Sequence, residues 1–178
     1  MGFSEASVLL KVALFILPLA LILQIVGLAT PNWSSVSGSR SGITVTANVG
    51  LWKACSSISN TGSECVTYPD VLDWMKSSRA FAIIGMLGVA AAAILEALCT
   101  IVLNKASHKM AYILATVTAF IGAAAIILSV IIWGVNNDEL GTTADGSPYD
   151  LSWSLFISIV GGVLSGIGGV LVTIDLCQ

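Results

Sequence analysis

Four mainly apolar stretches, each long enough to cross a bilayer as a helix, constrain this chain more than any other feature. They occupy residues 8–30, 80–103, 110–134 and 152–176, and a spanning helix needs about 20 mainly apolar residues. Only 10% of the residues are charged, against about 25% in a soluble domain. That is too few to clothe a water-facing surface, so lipid is the solvent for most of the chain. Pro31 stops the first stretch because proline has no amide proton to continue a helix. Pro18 lies inside it and predicts a kink rather than a break. The first apolar run exceeds the roughly 7–15 residues of a secretory signal core, so it reads as a retained span. Residue 6 is alanine where a myristoylation signal carries Ser or Thr, and no amino-terminal acylation is expected.

Four spans put both termini and the middle loop on one side. That loop, Asn104–Lys109, carries Lys105 and Lys109 and no acid, so the positive-inside rule makes its side cytosolic. The loop between spans three and four, residues 135–151, holds Asp138, Glu139, Asp145 and Asp150 and no base; it is extracellular on this reading. So is the first loop, residues 31–79, which contains Cys55 and Cys65. Facing an oxidising space, where disulfides persist, these two read as a bridge. Turn formers Ser59-Asn60-Thr61-Gly62 lie between them, strand-like Val49-Gly50-Leu51-Trp52 precedes, and Val66-Thr67-Tyr68 follows. The expectation is a β-hairpin stapled by one disulfide worth about 2–3 kcal/mol. Ile43-Thr44-Val45-Thr46-Ala47 has the β-branched composition of a further strand. After Pro69, residues Asp70 to Lys76 predict a short separate helix capped by Asp70.

Within the membrane, close packing of small residues must help hold helices together. Ala111, Ala115, Ala119 and Ala123 form one stripe on span three, and Gly162 and Gly166 form a GxxxG pair on span four with Ser165 and Gly169 beside them. These faces either pack the bundle against itself, the favoured reading, or receive another subunit. Glu96 is the one acid well inside a span, about 10 Å from the cytosolic end at 1.5 Å per residue. Either a Lys11–Glu96 pair or an uncharged Glu96 closes that end of the bundle. Cys99 and Cys177 fall near the cytosolic boundary, where reversible palmitoylation competes with ordinary packing.

The pattern Trp33, Gly50-Leu51-Trp52, Cys55 and Cys65 inside a four-span frame resembles the claudin superfamily, which includes the peripheral myelin and epithelial membrane proteins and the channel γ-subunits. Tyr68 three residues after the second cysteine, Ser78-Arg79-Ala80 leading into span two and Lys109-Met110-Ala111 opening span three are similar as well. The resemblance covers nearly the whole chain. It implies a single membrane domain over residues 1–178: an all-α transmembrane four-helix bundle with a small extracellular antiparallel β-sheet, built by the first loop and extended by the second. It gives Trp33, Gly50, Leu51 and Trp52 the task of anchoring that sheet, and puts Arg79 near carbonyls or acids of the first loop.

The resemblance also implies function. Such a protein sits in the plasma membrane at cell–cell junctions and associates with like chains in cis and in trans. The assembly forms a paracellular barrier or an ion-selective pore, with first-loop charges setting which ions pass. Lys53 and Glu64 beside the cysteines, and Asp70 and Asp73 in the short helix, are the candidates; the position after Cys65 is Val66, not an acid. Four bases against three acids leave the first loop at +1 and four acids leave the second at −4, so the outer face at −3 mildly favours cations. Two alternatives stand beside this: an auxiliary subunit of an ion channel, held by the small-residue stripes, and a myelin-like organiser of opposed membranes. Gln178 is not the apolar last residue that docks in a PDZ domain, and Tyr149-Asp150-Leu151-Ser152-Trp153 is similar to the myelin and epithelial membrane branch. A formal charge of −3 gives no reason to expect nucleic acid, and a single histidine, His108, cannot build a multi-histidine metal site. No cofactor and no enzymatic activity are expected. Asn32-Trp33-Ser34 is a formal glycosylation sequon too close to the membrane to be used.

Overall fold

Each apolar stretch forms one continuous helix: α1 (Val8–Ala29), α2 (Asp73–Ile101), α3 (Lys109–Val135) and α4 (Trp153–Cys177). A computed structural model describes residues 6–40, 43–59, 62–68, 71–102, 108–142, 146 and 148–178. All four helices are long and apolar enough to cross a membrane, and the chain is a multi-pass membrane protein. Ser7 caps α1 by accepting the Leu10 amide at 3.2 Å, and the helix runs through Pro18 without a break.

The helices pack as a ring in which α1 meets α2 and α4, and α3 meets α2 and α4. Glycine sets the close crossing of α2 and α3. A Cβ on Gly88 would lie 2.8 Å from the Gly122 Cα, and one on Gly122 would lie 2.8 Å from the Val89 amide nitrogen. Backbone therefore touches backbone between α2 and α3. Near the sheet end the same pair is tied by reciprocal bonds: Ser78 Oγ donates to the Ser129 carbonyl at 3.0 Å and Ser129 Oγ to the Ser78 carbonyl at 2.8 Å. The expected stripes meet each other between α3 and α4. Ala115 and Ala119 are buried, Ser165 Oγ donates to the Ala119 carbonyl at 3.0 Å, and a Cβ on Gly166 would find Ala123 at an ordinary 3.9 Å. These faces are spent on the bundle itself.

Between α1 and α2 the chain builds β1 (Ser34–Arg40), β2 (Ile43–Val49), β3 (Lys53–Ile58) and β4 (Gly62–Thr67), and β5 (Asp150–Leu151) joins from the loop before α4. The sheet is antiparallel throughout, in the order β4-β3-β2-β1-β5. The expected hairpin is β3–β4, and the expected upstream strand is β2.

Two expectations need correction. Residues Val49 to Trp52 are not a strand leading into the first cysteine. Val49 ends β2, and Gly50-Leu51-Trp52 turns the chain, closed by the Gly50 amide donating to the Lys53 carbonyl at 3.0 Å. The turn is pulled onto the bundle because Leu51 is fully buried there. Nor is there a separate short helix before span two: its residues from Asp73 onward are the first turns of α2. No proline or glycine separates Asp73 from Ile84, so nothing interrupts the helical run. Leu72 is the N-cap residue of α2, with no side-chain cap bond. Asp70 itself lies outside the described residues, as do Lys105 and Asp145.

Candidate functional site: the sheet and its anchorage

The sheet is tied to the bundle by indoles. Trp33 is fully buried and its Nε1 donates to the Gly27 carbonyl in the last turns of α1 at 2.7 Å. Trp52 Nε1 donates to the Leu28 carbonyl at 2.8 Å. An indole suits this level because its apolar body packs while its polar edge finds a carbonyl freed at a helix end. Trp133, at the end of α3, stands edge-on to both Trp33 and Trp74, with ring centroids 5.2 and 5.3 Å apart. Val49, Leu51, Met75, Ala82, Val130 and Leu155 complete this apolar floor. Gly50 is required by contact: a Cβ there would lie 2.4 Å from the Pro31 Cα.

Arg79 fixes the turn from the other side, its Nε donating to the Leu51 carbonyl at 2.6 Å. Its guanidinium lies 5.1 Å from the Trp52 ring centroid and 5.8 Å from that of Tyr68. Burial pushes the Tyr68 hydroxyl up to about 12, the Arg79 charge opposing it, so the phenol stays neutral at physiological pH. The second loop is latched to the first through Asn137. Ser34 Oγ donates to Asn137 Oδ1, Asn137 Nδ2 donates to the Tyr149 carbonyl at 2.6 Å, and Trp133 Nε1 donates to Ser34 Oγ at 2.8 Å. The Ser152 amide then bonds the Trp33 carbonyl at 2.9 Å, setting β5 against β1. The sequon hydroxyl, on Ser34, is thus fully buried and engaged.

Cys55 and Cys65 are directly paired across β3 and β4 and joined as a disulfide. Alternation along each strand then sorts the side chains. Lys53, Cys55 and Ser57, opposite Thr67, Cys65 and Ser63, share one face, and Thr44, Thr46 and Asn48 extend it with hydroxyl and amide groups. The other face carries Val36, Val45, Ala47, Val49, Ala54, Ile58 and Val66. Val36 and Val49, at its base, are buried, whereas Ile43, Val45, Ile58 and Val66 are 40–60% exposed. The sheet is two-sided, one side polar with the disulfide, the other mainly apolar with Ser56 and Glu64 among its residues.

The sequence profile of the PMP-22/EMP/MP20/Claudin family matches residues 6–172. The chain belongs to this family. No curated protein matches the chain. The family is one without enzymatic activity, and the four-helix bundle and antiparallel sheet are those the resemblance implied; Trp33, Gly50, Leu51, Trp52 and Arg79 stand where sheet meets bundle.

In this claudin-like frame the four charges singled out for ion selectivity do not form one group. Lys53 is half-buried on the disulfide face, whereas Glu64, opposite Ser56, is exposed on the apolar face. Asp73 sits in the first turn of α2, where its Oδ1 pairs with Lys76 at 2.9 Å. Asp70 lies outside the described residues. At the end of the bundle away from the sheet, Glu96 is fully buried; Thr100 Oγ1 donates to its Oε1 at 2.9 Å. Lys11 is half-buried on α1 in the same layer, where Leu10 and Ala13 pack with Cys99, Tyr112 and Val172. Cys99 is buried, and Cys177 is exposed at the end of α4. Among the described residues no group of three or more metal-ligating side chains occurs.

Sequence reasoning passed over Trp133, Ser34 and Asn137. Trp133 carried a signal, since tryptophan at the end of a span marks the interface. Ser34 and Asn137 carried none, because their roles exist only once the two loops meet.

Proposed function

We propose that this chain is a structural protein of cell–cell junctions, with the sheet extracellular and both termini cytosolic, and that it associates with like chains in cis and in trans to form a paracellular barrier. The observation that carries this reading is the mainly apolar outer face of a folded, disulfide-bonded sheet, exposed at Ile43, Val45, Ile58 and Val66. Exposed apolar surface of this kind marks an interaction site. Family membership supports the reading, and so does the basic loop before α3, which the positive-inside rule assigns to the cytosol. A barrier is favoured over a charge-selective pore because Glu64 is the one charged residue among the described side chains of the apolar face of β2–β4. Lys53 faces the other way, and Asp73 is offset by Lys76.

Like-with-like binding is tested in cells without junctions of their own. Two tagged versions, expressed in separate cells and mixed, are expected to concentrate where two expressing cells touch. They stay uniform where an expressing cell touches a bare one. Uniform distribution at both kinds of contact overturns the proposal. Cytosolic acylation belongs to Cys177, which is exposed, rather than Cys99, which is buried. Thiol-specific acyl exchange is therefore expected to lose its signal in Cys177→Ser and keep it in Cys99→Ser; the reverse pattern counts against the proposed packing of the cytosolic end.

A further inference from the structure

We propose that Arg79 is a phosphate site: its terminal Nη groups bind the phosphodiester of a phospholipid in the leaflet on the sheet side. At 1.5 Å per residue the 29 residues of α2 reach about 43 Å, and the hydrocarbon core takes about 30 Å, or 20 residues. Counting back from Ile101 puts the core boundary near Ala82, so Arg79 stands roughly 5 Å outside it, among the headgroups. The level of Trp52, which bonds the Leu28 carbonyl one residue before α1 ends, agrees.

The guanidinium also has donors to spare. Arginine has five N–H donors in a fixed fork and cannot shed its charge in a protein. Its hydrogen bond among the described residues is the one from Nε to the Leu51 carbonyl. Among the described residues no carboxylate forms an ion pair with Arg79, and the side chain is only half-buried. Trp52 and Tyr68 wall the guanidinium, and Trp52 is itself held by its indole bond, so the fork is presented in one orientation. A planar fork whose Nη edge is engaged by none of the described residues suits two oxygens of one phosphate. Nε remains on Leu51, so lipid binding and the Gly50-Leu51-Trp52 turn reinforce each other. This inference is independent of the junction reading.

The test uses the full chain purified in detergent and native mass spectrometry with two lipids of identical acyl chains, phosphatidylcholine and diacylglycerol. The wild type is expected to retain one phosphatidylcholine about tenfold more strongly than diacylglycerol, and a large excess of inorganic phosphate is expected not to displace it. Equal retention of the two lipids overturns the assignment; displacement by inorganic phosphate means a site for the free ion and overturns the lipid claim. Neither arm needs a variant, so a folding defect cannot obscure the answer. Arg79→Gln, provided the disulfide and thermal midpoint are kept, is expected to lose the preference; unchanged preference overturns the proposal. Asp70→Asn is expected to leave retention unchanged, and a gain would mean that a protein carboxylate already holds Arg79, overturning it as well.

Discussion

Gly50→Ala is expected to unfold the sheet end at a cost of about 3 kcal/mol, the upper range for forcing extra atoms into a packed site. The added carbon would lie 2.4 Å from the Pro31 Cα, 2.8 Å from the Thr30 carbonyl oxygen and 3.0 Å from the Pro31 carbonyl carbon. All three are backbone atoms, so no side chain can swing away. Relief would require the Gly50-Leu51-Trp52 turn to lift from the end of α1, drawing Leu51 out of the floor and Trp52 off the Leu28 carbonyl. Gly62→Ala is the informative contrast. Its added carbon meets nothing within 4 Å, but φ is +102°, so the cost is conformational alone, about 1–2 kcal/mol. Thermal unfolding in detergent, followed by near-ultraviolet tryptophan signals, should rank the two in that order. Equal midpoints for Gly50→Ala and wild type would mean that the turn does not rest on Pro31.

The second large effect is expected at Gly122→Leu, which should leave little monodisperse folded protein. Its Cβ alone would lie 2.8 Å from the Val89 amide nitrogen and 3.1 Å from the Gly85 carbonyl oxygen. Helices α2 and α3 would have to separate, breaking the reciprocal Ser78–Ser129 bonds. Apolar contact with lipid offers no hydrophobic force to draw them together again. Gly166→Ala should by contrast stay within about 0.5 kcal/mol of wild type, because its nearest neighbour is the Ala123 Cβ at 3.9 Å. Size-exclusion yield and thermal midpoint decide the matter. A monodisperse, stable Gly122→Leu protein would show that the crossing is looser than the geometry requires.

The contrast between those two glycines shows which parts of this fold can be read along a sequence. Gly162 and Gly166 stand out because their spacing is regular, yet Gly88 and Gly122 bring backbone against backbone from two different helices. Nothing local pairs them. Spans were legible because about 20 apolar residues have few other places to go, and the β3–β4 hairpin because turn formers separate two cysteines. Strand β1, Ser-Ser-Val-Ser-Gly-Ser-Arg, has almost no strand propensity of its own. It is ordered by pairing with β2 along its whole length and by Ser34 meeting Trp133 and Asn137. Strand β5 is two residues long and is set by a bond from Ser152 to Trp33, far away in sequence.

The division between Lys53 and Glu64 was, in hindsight, written in the period of a strand. Lys53 lies two residues before Cys55 and so shares its face; Glu64 lies one residue before Cys65 and so takes the opposite face. Proximity to a cysteine in sequence made the two look alike, and alternation separates them. The same alternation collects Val45, Ile58 and Val66 into the apolar face on which the barrier reading rests.

Transepithelial resistance tests that reading most directly. The chain is expressed inducibly in an epithelial monolayer stripped of its own claudins, with dilution potentials recorded alongside. A rise in resistance on induction, with little change in the ratio of cation to anion permeability, is the predicted result. Full delivery of the protein to the cell surface with no change in resistance would contradict it.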